Sequence, residues 1–204
     1  MRYYIDTEFN GTDGQLLSLA LVRQDGAHFY EVLHAHQLIV PWVQEHVVPY
    51  FDQEPVARLQ AVKKMQKFLR KDDGPHVFIA DWPEDLVHFN RMLLRDQGKR
   101  NDPFRYACLL LSLPHFSTAR ASEVPHNALA DARALAAHVE ANLAGEIEEM
   151  EEESLLRAEI LQLKAGVVNP SSASGPKPDV PPGAPKSRPP SKRRSSAVLG
   201  KATV

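Results

Sequence analysis

Apolar and polar positions alternate through Arg2 to Phe9, with Tyr3 and Ile5 on one side and Tyr4 on the other, and this period of two predicts a strand. Leu16 to Val22 is apolar and β-compatible, Asp25-Gly26 is a turn pair, and Phe29, Tyr30 and Val32 make a return strand. Pro41 to Val48 predicts a short helix. From Glu54 to Lys71 the period lengthens to about 3.6, with Val56, Leu59, Val62, Met65, Gln66 and Leu69 on one stripe, as in an amphipathic helix. His76 to Ala80 reads as a short buried strand, and Pro83 to Asp96 as a helix with Leu86, Phe89, Leu93 and Leu94 inward. Phe104 to Leu113 contains a further strand, and the last core helix begins near His126. Three strands followed by alternating helices and strands predict an α/β fold, a mixed five-stranded sheet with helices packed on it.

Composition divides the chain. Residues 1–145 carry the fold signal and are nearly balanced in charge, with 15 basic and 18 acidic residues. Residues 146–168 read as an acidic helical extension: six acids lie between Glu146 and Glu153, and Leu156, Ile160 and Leu163 make too short an apolar stripe for a coiled coil. Residues 169–204 hold eight of the 16 prolines and a charge of +6, a composition that predicts disorder. Lys192-Arg193-Arg194 could touch an acidic partner, or simply keep the tail soluble. The single Cys108 excludes an internal disulfide and a cysteine-based zinc site. No apolar run approaches the roughly 18 residues needed to cross a bilayer, and the start lacks a secretory pattern, so a cytoplasmic protein without membrane contact is expected. A grip on long nucleic acid calls for a strongly basic domain. Residues 1–145 exclude that and leave room only for a short stretch or an end.

Three segments carry candidate chemistry. Asp6-Thr7-Glu8 puts two carboxylates on the same face of the first strand, where they repel and raise each other's pKa unless a cation neutralises them. Hard divalent cations take such oxygens; a solvent-facing pair of acids is the plainer alternative. Asp81-Trp82-Pro83-Glu84-Asp85 follows a strand and opens a helix. Its acids suit the helix dipole, and a strand end is also where open sheets bind ligands. In Pro125 to Asp131, His126 precedes a helix and Asp131 sits among Ala128, Leu129, Ala130, Ala132, Ala134 and Leu135, either on a wet stripe or bound to something.

Taken together, Asp-x-Glu on the first strand, an Asp at a strand-to-helix turn and His-x4-Asp on the last helix resemble the DEDDh exonucleases. The stretches RYYIDTEF and HNALADARAL are most similar to the mycobacterial-type polyadenylate-specific exoribonucleases, relatives of ribonuclease T, over about residues 1–143. The resemblance implies a ribonuclease H-like fold in the order βββαβαβα. It implies Asp6, Glu8, Asp85 and Asp131 as ligands of two Mg²⁺ or Mn²⁺ ions and His126 as general base. Asp85 is preferred to Asp81, with Glu84 third, because it stands a few residues past the strand ahead of Leu86 and Phe89. Phe9 stands where many relatives have Thr, in keeping with the polyadenylate-specific branch.

The implied reaction is hydrolysis of single-stranded RNA, or of nucleic-acid 3′ ends, from the 3′ end to nucleoside 5′-monophosphates. Kinship also suggests a homodimer. Terminal bases would stack on Phe9 and Trp82, with Asn10-Gly11 offering backbone amides or forming an ordinary turn. Phe9 and Trp82 equally fit core packing. Two other classes compete: a two-metal endonuclease or resolvase on the same fold, and a catalytically silent module that binds nucleic acid or protein.

Overall fold

The computed structural model describes residues 1–72, 74–94, 105–150 and 152–153. The expectations for residues 154–168 and for the tail from Asn169 lie outside them. Five strands, β1 (Arg2–Phe9), β2 (Leu16–Arg23), β3 (His28–Val32), β4 (His76–Ala80) and β5 (Tyr106–Leu110), form one mixed sheet in the order β3-β2-β1-β4-β5. The first three pair antiparallel, whereas β4 lies parallel to both β1 and β5. Around the sheet are α1 (Pro41–His46), a 3₁₀ turn (Val48–Tyr50), α2 (Arg58–Leu69), α3 (Pro83–Met92), α4 (Thr118–Ala121) and α5 (Ala128–Asn142). Among the described residues, no helix is long and apolar enough to cross a membrane.

The alternation of β1 sets two faces. Tyr3 and Ile5 pack with Leu19, Leu21, Phe29 and Phe78 under α2 and α3. Tyr4 packs with Ala20, Val22, Tyr30 and Ile79 under α5, whose buried stripe is Ala128, Leu129, Ala132, Leu135, Ala136 and Val139. The small residues of α5 let it lie close over β1 and β2. A bulge shifts the β1–β2 register between Glu8 and Phe9, where Ser18 and Leu16 are the partners. Leu17, left between them, fills a third cluster with Val43 and Val47, so the bulge seats α1 beside the end of β1.

Three expectations shift. The helix predicted from Glu54 starts at Arg58, because Val56 is held extended by a parallel bridge to Leu33, its amide donating to the Val32 carbonyl at 2.9 Å. Its buried stripe is Ala61, Val62, Met65, Gln66, Phe68 and Leu69, and Leu59 is 66% exposed. The helix from Pro83 ends at Met92; its buried residues are Asp85, His88, Phe89 and Met92, Leu86 packs partly buried against the same core, and Leu94, beyond the helix, is exposed. The last core helix, expected to begin near His126, runs over Ala128–Asn142, and after a break at Leu143 a helix resumes over 144–150. There Ile147 is 2% exposed within the α5 cluster and Glu148 pairs with Arg2 at 3.2 Å. Residues 146–150 thus begin inside the compact unit, which runs from Met1 to Arg157, while Glu146, Glu148 and Glu149 face water. Removing most of a buried Ile side chain costs about 2–5 kcal/mol. Ile147→Ala is therefore expected to lower the thermal midpoint by several degrees, measured by calorimetry; an unchanged midpoint would mean that this turn is a solvated appendage.

Candidate functional site

Local structure aims the first two acids. Asp6 and Glu8 share the α5 face of β1, opposite Ala20 and Ser18 of β2. Asn127 caps α5: its Oδ1 accepts from the Leu129 and Ala130 amides, both at 3.1 Å, and its Nδ2 donates to the Tyr50 carbonyl at 2.9 Å. That double attachment fixes where α5 starts, and so places Asp131 within its first turn. Ligand oxygens of Asp6, Glu8 and Asp131 come within 4.8 Å of one another. The structure thus brings together acids that lie 125 residues apart in the chain.

Asp85 reaches the same region from α3. The pairing of β1 with β4 ends at Tyr4 and Ile79, and β1 runs on past it. Asp85 closes that gap, its Oδ1 accepting from the Thr7 amide at 3.0 Å and the Thr7 hydroxyl at 2.6 Å. It is 2% exposed, and it is the first charge felt by Asp6, although its oxygens are not within the 4.8 Å cluster. Asp81 stands two residues beyond Ile79, and its charge bears on Asp6, Asp85 and Asp131. The geometry therefore draws five acids toward one place. Glu84 is committed elsewhere: it accepts from the Asp13 amide and the Trp82 indole, each at 3.1 Å.

Burial and crowding act together on these groups. Burial first, then the charges of Asp85, Glu8, Asp131 and Asp81, push Asp6 well above the usual carboxylate range. Burial, Asp131 and Asp85 raise Glu8 to about 8. Burial raises Asp85 to about 7, with Asp81 and Glu84 adding to it and the Thr7 bonds opposing. Burial raises Asp131, against the nearby Ser122 hydroxyl and the His126 amide, and burial raises Asp81. Among the described residues none of the five forms an ion pair with Lys or Arg. Among the described residues Asp131 Oδ1 is buried without a hydrogen-bond partner. A buried carboxylate with an unpaired oxygen, beside two more carboxylates, is a donor set that fits a hard divalent cation, and this chain would hold one through Asp6, Glu8 and Asp131.

His126 stands at the rim of this group in a left-handed conformation, φ 66°, and its amide donates to Asp131 Oδ2 at 3.1 Å. Asp131 also feels the imidazole's charge. The ring meets Trp42 edge to face, with centroids 5.4 Å apart, and Trp42 in turn stacks on His46 at 4.9 Å. Trp42 had no signal in the sequence, because the α1 segment shows neither motif nor period. Asn10 brings it here: its side chain donates to the Leu38 carbonyl at 2.9 Å and accepts from the Val40 amide at 2.8 Å, holding the approach to α1.

The three residues proposed for substrate contact fare differently. Both backbone amides of Asn10-Gly11 are spent inside the turn, on Gln15 and Phe9 carbonyls at 2.9 Å, and Gly11 takes φ 74°. With its side chain also engaged, Asn10 is a structural clamp. Phe9 packs against His88 with centroids 5.1 Å apart, which is the packing role. Trp82 is 57% exposed and leaves its ring face open beside Asp81. No protein-family model matches this chain, and no curated protein matches it.

An acid with a raised folded-state pKa binds its proton more tightly folded than unfolded, so stability falls as pH rises through the interval between the two values. For Glu8 that interval runs from 4.5 to about 8 and for Asp85 from 3.8 to about 7. The thermal midpoint of the metal-free protein is expected to fall between about pH 5 and about pH 8, and Mn²⁺ should remove most of that fall. Asp131→Asn should flatten the pH profile and abolish most of the Mn²⁺ shift. A midpoint independent of pH in EDTA, or an Mn²⁺ shift untouched by the substitution, would show that the acids do not form one electrostatic unit.

Proposed function

We propose that this chain is a metal-dependent 3′–5′ exoribonuclease of the DEDDh type on a ribonuclease H-like fold, releasing nucleoside 5′-monophosphates from single-stranded RNA ends. The observation that carries this reading is the meeting of Asp6, Glu8 and Asp131 oxygens within 4.8 Å, with His126 bonded to the same Asp131. The element order, three antiparallel strands and then alternation, supports it. Asp85 is the fourth acid of this reading and Asp81 its reserve. A cytoplasmic setting fits a chain whose one cysteine can form no internal disulfide.

Bound by these acids, Mg²⁺ or Mn²⁺ would supply the positive charge that activates water and stabilises the leaving oxygen. The chain's own residues do the rest. Asp6, Glu8 and Asp131 would hold that cation at the end of β1. His126, at the rim, accepts the proton of the attacking water on an imidazole nitrogen, the task of a general base. The water oxygen bonds to phosphorus, the bond from phosphorus to the 3′-oxygen of the penultimate nucleotide breaks, and the released nucleotide keeps its 5′-phosphate. The exposed ring of Trp82, beside Asp81, offers a face on which a terminal base can stack.

The test is 5′-labelled single-stranded RNA incubated with Mg²⁺ or Mn²⁺. A stepwise ladder that EDTA abolishes is expected, whereas abrupt internal products mean an endonuclease and no cleavage of RNA or DNA means a silent module. His126→Ala should lower turnover by about 10²–10⁴-fold while the Mn²⁺-induced thermal shift persists. Full activity in that variant would remove His126 from its role.

A further inference from the structure

On the α2/α3 side of the sheet, a cavity of about 260 Å³ opens beside the end of β1. Among the described residues its polar lining is Gln15, His34, His36, Arg58, His88 and Arg91, with no Asp or Glu. The Gln15 side chain is spent on backbone, donating to the His34 carbonyl and accepting from the His36 amide, both at 2.8 Å. It thereby fixes the segment that carries the two imidazoles. Arg58 gives Nη2 to the carbonyls of Arg91 and Leu94 at 2.5 and 3.2 Å, which leaves its other nitrogens for a ligand. Arg91, His34 and His36 make no side-chain hydrogen bond or ion pair among the described residues. His88 is 3% exposed at the back of the cavity, and after burial it is the Arg91 charge that most lowers its proton affinity. Arg58 is also the first residue of α2, which starts with no side-chain cap and no acid in its first turn. The positive end of that helix dipole is therefore uncompensated as well.

Guanidinium and imidazole groups from three chain segments thus meet in one concavity that no acid lines among the described residues, with Glu84 the one carboxylate whose charge reaches His88, an arrangement that focuses potential on an anion. Guanidinium and imidazole donors together suit the oxygens of a phosphate group. We propose that this cavity is a phosphate-binding site, filled by a backbone phosphate of the RNA strand upstream of its 3′ end. The choice of a strand phosphate rests on the exonuclease reading; the affinity for phosphate does not. Continuity favours the strand: Phe9, the residue after Glu8, packs on His88, which lies one helical turn beyond Asp85. The acids that repel a polyanion and the basic cavity that attracts it stand on either side of this contact.

The probe is a 5′-fluorescein octaribonucleotide, followed by anisotropy on the full chain carrying Asp131→Asn to prevent turnover. Adding Arg91→Gln should weaken binding about tenfold and reduce the slope of log affinity against log salt by about 0.7, the share of one phosphate contact on a single strand. Adenosine 5′-monophosphate and inorganic phosphate are the second probes. If Arg91→Gln lowers their affinity and leaves the octamer untouched, the phosphate site stands but its occupant is a free nucleotide or phosphate, and the strand assignment is overturned. If folded variants with unchanged thermal midpoints bind all three probes as before, the site itself is overturned. Should the wild-type chain hydrolyse no RNA while Arg91→Gln still loses phosphate binding, the exonuclease reading fails and the phosphate site survives.

Discussion

The repulsion among carboxylates buried at the end of β1 is the constraint around which the rest of the molecule is arranged. Asp6, Asp85 and Asp131 are at most 9% exposed, and no basic side chain among the described residues pairs with them. Taking charge out of water is costly, and adding like charges nearby makes it costlier. The protein can meet this cost by keeping protons on the acids or by accepting a cation. The first accounts for the raised proton affinities; the second is the use that the site's chemistry invites.

A crowded site of this kind holds only if its supports are stiffer than its repulsion. The first support is the sheet, in which β1 is paired on both sides through Tyr4 and on the β2 side beyond it, where Asp85 takes over the Thr7 amide. The second is Asn127, which ties the start of α5 to the 3₁₀ turn and so sets the height of Asp131. The third is the bulge at Leu17 with the Asn10 clamp, which together press α1 and its Trp42 against His126. Each of these is a buried polar group fully satisfied by backbone or a packed apolar side chain, and neither kind gives way easily.

The basic cavity on the other side of the sheet gives this arrangement a counterpart. The sum over the chain is only −2, yet carboxylates gather at the end of β1 while Arg58 and Arg91 line a cavity that no acid lines among the described residues. A near-neutral total is therefore compatible with strong local fields of both signs, which composition averages away.

Most of the architecture was legible in the linear pattern. Alternation in Arg2–Phe9 and the apolar run of His76–Ala80 marked strands with their correct limits, because a strand buried on both faces leaves little choice of residue. The same alternation put Asp6 and Glu8 on one face, a fact of backbone geometry that needs no partner. What tertiary structure alone decided was everything involving distance across the chain. It put Asp131 within reach of β1, engaged Asp85 with Thr7 and left Asp81 nearby, turned Phe9 away to His88, and brought Trp42 to His126. It also ended helices where a bridge or a packing contact intervened, at Val56 and at Leu143. Periodicity records which side of an element is apolar, a local property. Which side chains meet depends on sheet order, bulges and caps acting together, and no single stretch of sequence contains that information.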